Sequence, residues 1–175
     1  QSSDNPGCDS ARPRMNESVR VAYPDDYPAI ADMMQLALAE KVDARGGAML
    51  IASDLFGSLS RDEIVAVLPE LVAQTANLTL IVGTIDEVPV GYCIGRPQLL
   101  NDNTKITRID HFFVLEQARG VGVGEQLLNE VEAEARAYGH VGLDATALPG
   151  DRHTKNFFET FGMKARSLTV HRTFD

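Results

Sequence analysis

Apolar residues recur along the chain with two different periods, and the places where one gives way to the other mark its elements. Ser18 to Ala22 reads as a first strand, and Pro24-Asp25-Asp26-Tyr27-Pro28 punctuates it, with an Asp placed to cap a helix and Pro28 in the first turn. Ile30, Met33, Met34, Ala37 and Leu38 then follow with the spacing of one buried helical face. From Lys41 to Ser58 the pattern is poor: Gly46-Gly47 breaks the helix, and Met49-Leu50-Ile51 is apolar without a period. Ser60-Arg61-Asp62-Glu63 has the spacing of a capping box, and Ile64, Val67, Leu68, Leu71 and Val72 continue a helical face that Pro69 is expected to kink or split.

The period then changes to that of strands. Leu78 to Ile85 and Val88 to Leu99 are rich in β-formers and meet at Asp86-Glu87, the pattern of an antiparallel hairpin. A turn at Asn101-Asp102-Asn103 leads into a third run, Lys105 to Leu115, and Gly91 and Gly95 point to a bulge or a close backbone approach. Leu127, Leu128, Val131 and Ala135 give a helical stripe with Glu125 in its first turn, Arg136 near its end and Gly139 beyond it. Val141 to Ala145 is a short strand. Asp151 is placed to cap a helix whose inner face is Phe157, Phe158 and Phe161 and which Gly162 ends. The alternation of Leu168, Val170 and Arg172 with Thr169, His171 and Thr173 predicts a last strand.

Composition narrows the classes. A chain of 175 residues with 44% hydrophobic and 23% charged residues suits one domain with a single sizeable core, placed at residues 15–175. Residues 1–14 are polar, lack periodicity and read as a disordered tail or leader. No apolar run approaches the roughly 20 residues of a membrane helix and no secretory signal is visible, so no membrane partner and a cytoplasmic location are expected. The net charge of −9, with no basic patch, argues against nucleic acid and suits attraction of a cationic amine. Cys8 and Cys93 form no disulfide framework, and no His, Cys and carboxylate cluster has metal-ligand spacing, so no metal is expected.

The chemistry centres on Arg119-Gly120-Val121-Gly122-Val123-Gly124-Glu125, between a strand and a helix. Glycines at alternate positions let a tight loop turn several N–H groups to one point, and the helix start adds its unpaired N–H groups and positive dipole end. Such a loop is an anion seat, and a phosphate ester is its natural occupant. A dinucleotide fingerprint does not fit. Asp144 lies at the distance of a ribose-binding acid, but Glu125 and Leu127 stand where the third glycine would be needed. A glycine-rich turn without a ligand needs one such glycine, and this loop has three.

The segment resembles the acyl-CoA loop of the GNAT acetyltransferase family, R/Q-x-x-G-x-G/A, at every fixed position, and Phe112-Phe113-Val114-Leu115-Glu116 resembles the strand that leads to it. The order of elements from about Val19 to Phe174 also matches. The resemblance implies an α/β fold of the GNAT type: a mixed central sheet of six to seven strands, splayed between the fourth and fifth, with helices on both faces. It implies acetyl-CoA as co-substrate and direct acetyl transfer to a primary amine on a small molecule or protein. Phe112, Phe113 and Val114 would offer backbone groups to the pantetheine arm, and Arg119, Gly120, Val121, Gly122, Val123, Gly124 and Glu125 would hold the pyrophosphate. The loop from Leu148 to Asn156 would close over the thioester end, with Asp151 where the family often has Asn. The unreadable segment Lys41 to Ser58 would line the acceptor side. Pairing of last strands between chains, common in the family, makes a homodimer an expectation.

Acetyl transfer needs a group to take a proton from the ammonium. By resemblance Asp110 is the first candidate, with His111 and Asp144 next; strand alternation allows only one of the neighbours Asp110 and His111 to face the cleft. Asn-Phe-Phe-Glu-Thr-Phe-Gly-Met resembles the family's last helix, but Phe158 replaces the tyrosine that usually protonates the departing thiolate, and a phenyl ring has no proton to give. His153, Tyr92 or a water would have to substitute. The same departure favours an alternative, a non-catalytic acyl-CoA-binding or regulatory domain.

Overall fold

A computed structural model describes residues 15–174. The expected tail and Cys8 lie outside the described residues. Five strands form one sheet in sequence order: β1 Glu17–Val21, β2 Thr79–Ile85, β3 Val88–Leu99, β4 Lys105–Val114 and β5 Leu143–Ala145. The first four pair antiparallel, and β5 joins β4 in parallel. The helices are α1 Tyr27–Lys41, α2 Gly47–Ala52, α3 Arg61–Gln74, α4 Val123–Ala137 and α5 Arg152–Thr160.

Side-chain alternation gives the sheet two buried faces. Leu80, Tyr92, Ile94 and Phe113 point to one side, where Ile30, Met34, Ile64 and Leu68 of α1 and α3 cover them. Ile81, Cys93 and Val114 point to the other, under Leu127 and Val131 of α4 and Phe158 of α5. This is the expected splayed α/β architecture. β5 pairs only with Thr107 to Ile109, so β4 continues to Val114 with no strand on that side and the sheet parts.

Local chemistry fixes the ends of these elements. In the capping box, Ser60 Oγ accepts from the Glu63 N–H at 3.4 Å and Glu63 Oε2 accepts from the Ser60 N–H at 2.7 Å. Asp86 and Glu87 turn the hairpin with φ of +48° and +69°, the two left-handed residues that a tight two-residue loop needs. Asp26 Oδ2 accepts from the Tyr23 N–H at 2.7 Å and is gripped by both guanidinium nitrogens of Arg20, which pins the start of α1 to the end of β1.

Two bulges interrupt the β ladder. Gly83 faces Gly91 while Thr84 faces Pro89, which leaves Val90 over. Ile94 faces His111 while Gly95 faces Ile109, which leaves Asp110 over. Gly95 has to be small, because a Cβ there would lie 2.8 Å from Thr107 Cγ2.

Several expectations need correction. The sheet has five strands rather than six or seven, because residues 163–174 form none. Leu168 and Val170 stand 78% and 85% exposed: alternation makes a segment able to pair, but among the described residues no strand pairs with it. Asp144, on the edge strand, instead holds the segment through an ion pair with Arg166. The segment after Lys41, where the pattern is poor, holds the short helix α2, which starts after Gly46 at φ +81°. Pro69 sits on the solvent side of α3, which runs unsplit from Arg61 to Gln74. Val72 and Phe161, expected on buried faces, are 41% and 37% exposed.

Candidate active site

The loop after β4 is built by its glycines. A 3-10 turn, Glu116–Ala118, leads to Gly120 at φ +83° and Gly122 at φ +100°, and α4 begins at Val123. Side chains resist both angles. A Cβ on Gly120 would meet nothing within 4 Å, so that glycine keeps the loop's surface open. Gly124 serves packing instead, because a Cβ there would lie 3.2 Å from Phe157 Cε2. Among the described residues, no protein group accepts from the N–H groups of residues 120 to 125; the first amide of α4 with a partner is Gln126, bonded to the Gly122 carbonyl. Six donors at the positive end of a fifteen-residue helix are thus left for an anion.

Arg119 has a different place from the rest of the loop. Its Nε donates to the Val114 carbonyl at 2.9 Å, its Nη2 reaches both Glu40 oxygens at 3.0 and 3.1 Å, and the guanidinium stacks over the Phe113 ring. It ties the loop to β4 and α1. Beyond Ile109 the outer edge of β4 has no strand partner, so backbone groups around Phe112, Phe113 and Val114 line the parting of the sheet. The ring of Phe112 turns to α5 and packs on Phe157 and Phe158, while Phe113 enters the opposite core. Asp151 caps α5 by accepting from the Thr154 N–H at 3.0 Å, and Asn156 is exposed on that helix.

A pocket of about 70 Å³ opens where β4 and β5 part, on the α1 and α3 side. Lys41, Asp54, Phe56, Arg96, Asp110 and His111 are among its lining residues. Both Asp110 and His111 line it, against the expectation that alternation admits only one. The bulge is the reason: Asp110 is the extra residue, so the alternation slips there. Arg96 and Arg108 hold the Asp110 carboxylate, the latter at 3.4 Å. Asp144 lies apart from this pocket, bound to Arg166, which first among its neighbours keeps its carboxyl below the usual carboxylate range.

His111 is buried between two partners. Its Nδ1 lies 3.0 Å from Tyr92 Oη, its Nε2 lies 2.8 Å from Asp54 Oδ2 off the line of a straight hydrogen bond, and Phe56 meets the ring edge-on. Burial pushes the Tyr92 phenol well up, with the Asp54 charge adding to it, so the hydroxyl keeps its proton. Burial alone would raise Asp54, but His111, the Phe56 amide at 2.8 Å and Lys41 outweigh it, and its carboxyl falls below the usual range. Cys93 is fully buried and its thiol is pushed up by that burial, which suits packing rather than nucleophilic chemistry. Phe158 is buried against Phe112 and Phe157. His153 is exposed on α5. Among the described residues no group of three or more metal-ligating side chains forms.

Sequence reasoning missed Asp54. It lies in the segment without a period, and its partner His111 is far along the chain, so no local spacing announces the pair. Lys41 opens that same segment, and no spacing singles it out.

The sequence model of the acetyltransferase (GNAT) family matches residues 49–163. The chain belongs to that family. Among solved structures, it resembles an aminoglycoside N-acetyltransferase in complex with CoA, with 15% identity and a TM-score of 0.72, covering 94% of this chain and 99% of the other. A putative acetyltransferase from Agrobacterium tumefaciens str. C58 has 23% identity and a TM-score of 0.67, covering 90% and 99% of the two chains. A ribosomal-protein-alanine N-acetyltransferase from Brucella melitensis biovar Abortus 2308 has 14% identity and a TM-score of 0.67, covering 91% and 100%. These likenesses are of fold. No curated protein matches the sequence significantly.

Proposed function

We propose that the protein is an acetyl-CoA-dependent N-acetyltransferase acting on a primary amine. The observation that carries this reading is the run of unpartnered amides from Gly120 to Glu125, at a helix start beside a parted sheet. Those donors suit a diphosphate, and the unpaired edge of β4 suits the amides of a pantetheine arm, which need partners as they leave water. Acetyl-CoA supplies the activated acyl group. The residues supply position and proton handling.

The pocket beside the parting is the acceptor site in this reading. The Asp54 and His111 pair takes the ammonium proton, which can be held between the ring and the carboxylate. Tyr92 fixes the ring from behind. Asp110 shares the pocket, but its carboxylate is already gripped by two guanidinium groups, so Asp54 with His111 is the better-placed acceptor of a proton. Phe158 has no proton to give, so in this reading water protonates the departing thiolate.

Phe158 is also the observation that favours the second reading, a non-catalytic acyl-CoA-binding domain. Thiol release on mixing the protein with acetyl-CoA and a panel of primary amines separates the two. Turnover with any member supports the transferase; binding of acetyl-CoA without turnover across the panel supports the alternative.

A further inference from the structure

The pocket that this reading gives to the acceptor is lined by a residue that itself carries an amine. Lys41 is the last residue of α1, and it lines this pocket together with Asp54, Asp110 and His111. Its backbone is held in place: the Lys41 carbonyl accepts from the Ala44 N–H at 3.1 Å, and Gly47 packs so closely that a Cβ there would lie 1.8 Å from that oxygen. Among the described residues, Nζ has no ion-pair or hydrogen-bond partner. The other three lysines of the chain, Lys105, Lys155 and Lys164, are exposed, while Lys41 is not.

We propose that Lys41 is itself an acyl acceptor: without an amine substrate, the protein transfers an acetyl group from acetyl-CoA to Lys41 Nζ and so closes its own acceptor pocket. The inference rests on the acetyltransferase reading. In the step, Lys41 Nζ forms the amide bond to the acetyl carbon and the carbon–sulfur bond breaks with its electrons going to sulfur. Nζ gives up two protons as the ammonium becomes an amide: the first passes to the Asp54 and His111 pair and on to solvent, and the second, released as the carbon–sulfur bond breaks, passes through water to the thiolate.

Three features suit Lys41 to this step. Burial is the main force that lowers its pKa, and it prevails over the charges of Asp54, Asp151 and Glu40 that act to raise it, so the free amine is reached more easily than on an exposed lysine. Asp54 acts on this charge from the side of the proton acceptor, and Asp151 from the start of α5, the loop that the reading places over the thioester. The product is also consequential. An acetylated Lys41 loses its charge and adds three heavy atoms to a pocket of about 70 Å³, leaving little room for a second amine.

The test uses the full chain with acetyl-CoA and no added amine, following each lysine by peptide mass spectrometry, with calorimetry of acetyl-CoA binding alongside. Lys41 is expected to gain one acetyl group at a rate that saturates with acetyl-CoA and does not depend on protein concentration. Lys105, Lys155 and Lys164 are expected to lag at least about tenfold, since only Lys41 reacts from a fixed position. Asp54→Asn is expected to slow labelling of Lys41 by about tenfold or more, without changing the exposed lysines. Preincubation with acetyl-CoA is expected to inactivate the protein progressively, and Lys41→Arg, checked for folding by circular dichroism, to show no such loss. Equal labelling of all four lysines overturns the proposal. So does an unmodified Lys41 in a protein that binds acetyl-CoA, a result that leaves the acetyltransferase reading standing. Absence of acetyl-CoA binding removes both.

Discussion

Asp54 Oδ2 stands 2.8 Å from His111 Nε2 and joins the loop after α2 to β4 at the bulge that leaves Asp110 unpaired. The contact places a carboxylate and an imidazole together on the wall of one pocket, with Tyr92 Oη 3.0 Å from the other ring nitrogen.

If this pair takes the ammonium proton, Asp54→Asn lowers kcat by about 10²- to 10⁴-fold and leaves the affinity for CoA unchanged. Steady-state kinetics with an amine found by the thiol-release panel, together with calorimetry, checks the split. His111→Gln is expected to lower kcat by a similar factor, also without changing the affinity for CoA. An unchanged kcat in either variant would assign the proton to another group.

The glycine loop makes a second expectation. Gly120→Ala meets no atom within 4 Å, so its cost is conformational alone, about 1–2 kcal/mol for a side chain at φ +83°. Gly122→Ala, at φ +100°, adds contact at 3.0 Å with Glu17 Oε2. Both should weaken CoA binding by turning amides away, and calorimetry of the two variants measures it.

Asp26 gives a pH dependence of stability. The Arg20 hydrogen bonds are the largest influence on its carboxyl; with the Tyr23 amide they outweigh burial and hold it below the usual range. A carboxyl depressed in the folded state contributes stability above its ordinary pKa of about 4, and that contribution is lost as pH falls through the lower folded value. Thermal unfolding of the wild type should therefore weaken more steeply below about pH 4 than that of Asp26→Asn. At neutral pH the variant should be less stable by about 1–3 kcal/mol.

Phe158 is a packing residue in this structure, buried against Phe112 and Phe157. Phe158→Ala should cost about 3–5 kcal/mol in denaturant unfolding. A much smaller loss would show that the α5 face is not part of the core.

Much of this was legible in the chain because it is local. The buried face of α1, the capping box at Ser60, the hairpin at Asp86-Glu87 and the glycine loop each depend on residues a few positions apart, and each forms as its spacing predicts. What could not be read depends on distant partners. Residues 168 to 173 alternate as a strand would, but strand formation also needs an edge to pair with, and β5 is three residues long. The bulge at Asp110 follows from the register between β3 and β4, which alternation along β4 alone does not contain. Asp54 is an ordinary loop aspartate until the fold brings His111 beside it.

The central claim is that the amides from Gly120 to Glu125 grip the diphosphate of CoA. Titration of the isotope-labelled protein with CoA, read by amide proton–nitrogen spectra, tests it most directly. The account predicts the largest shifts at Gly120, Val121, Gly122, Val123 and Gly124, with smaller ones along the free edge of β4. Shifts clustered elsewhere, or a loop that does not respond at saturating CoA, would contradict it.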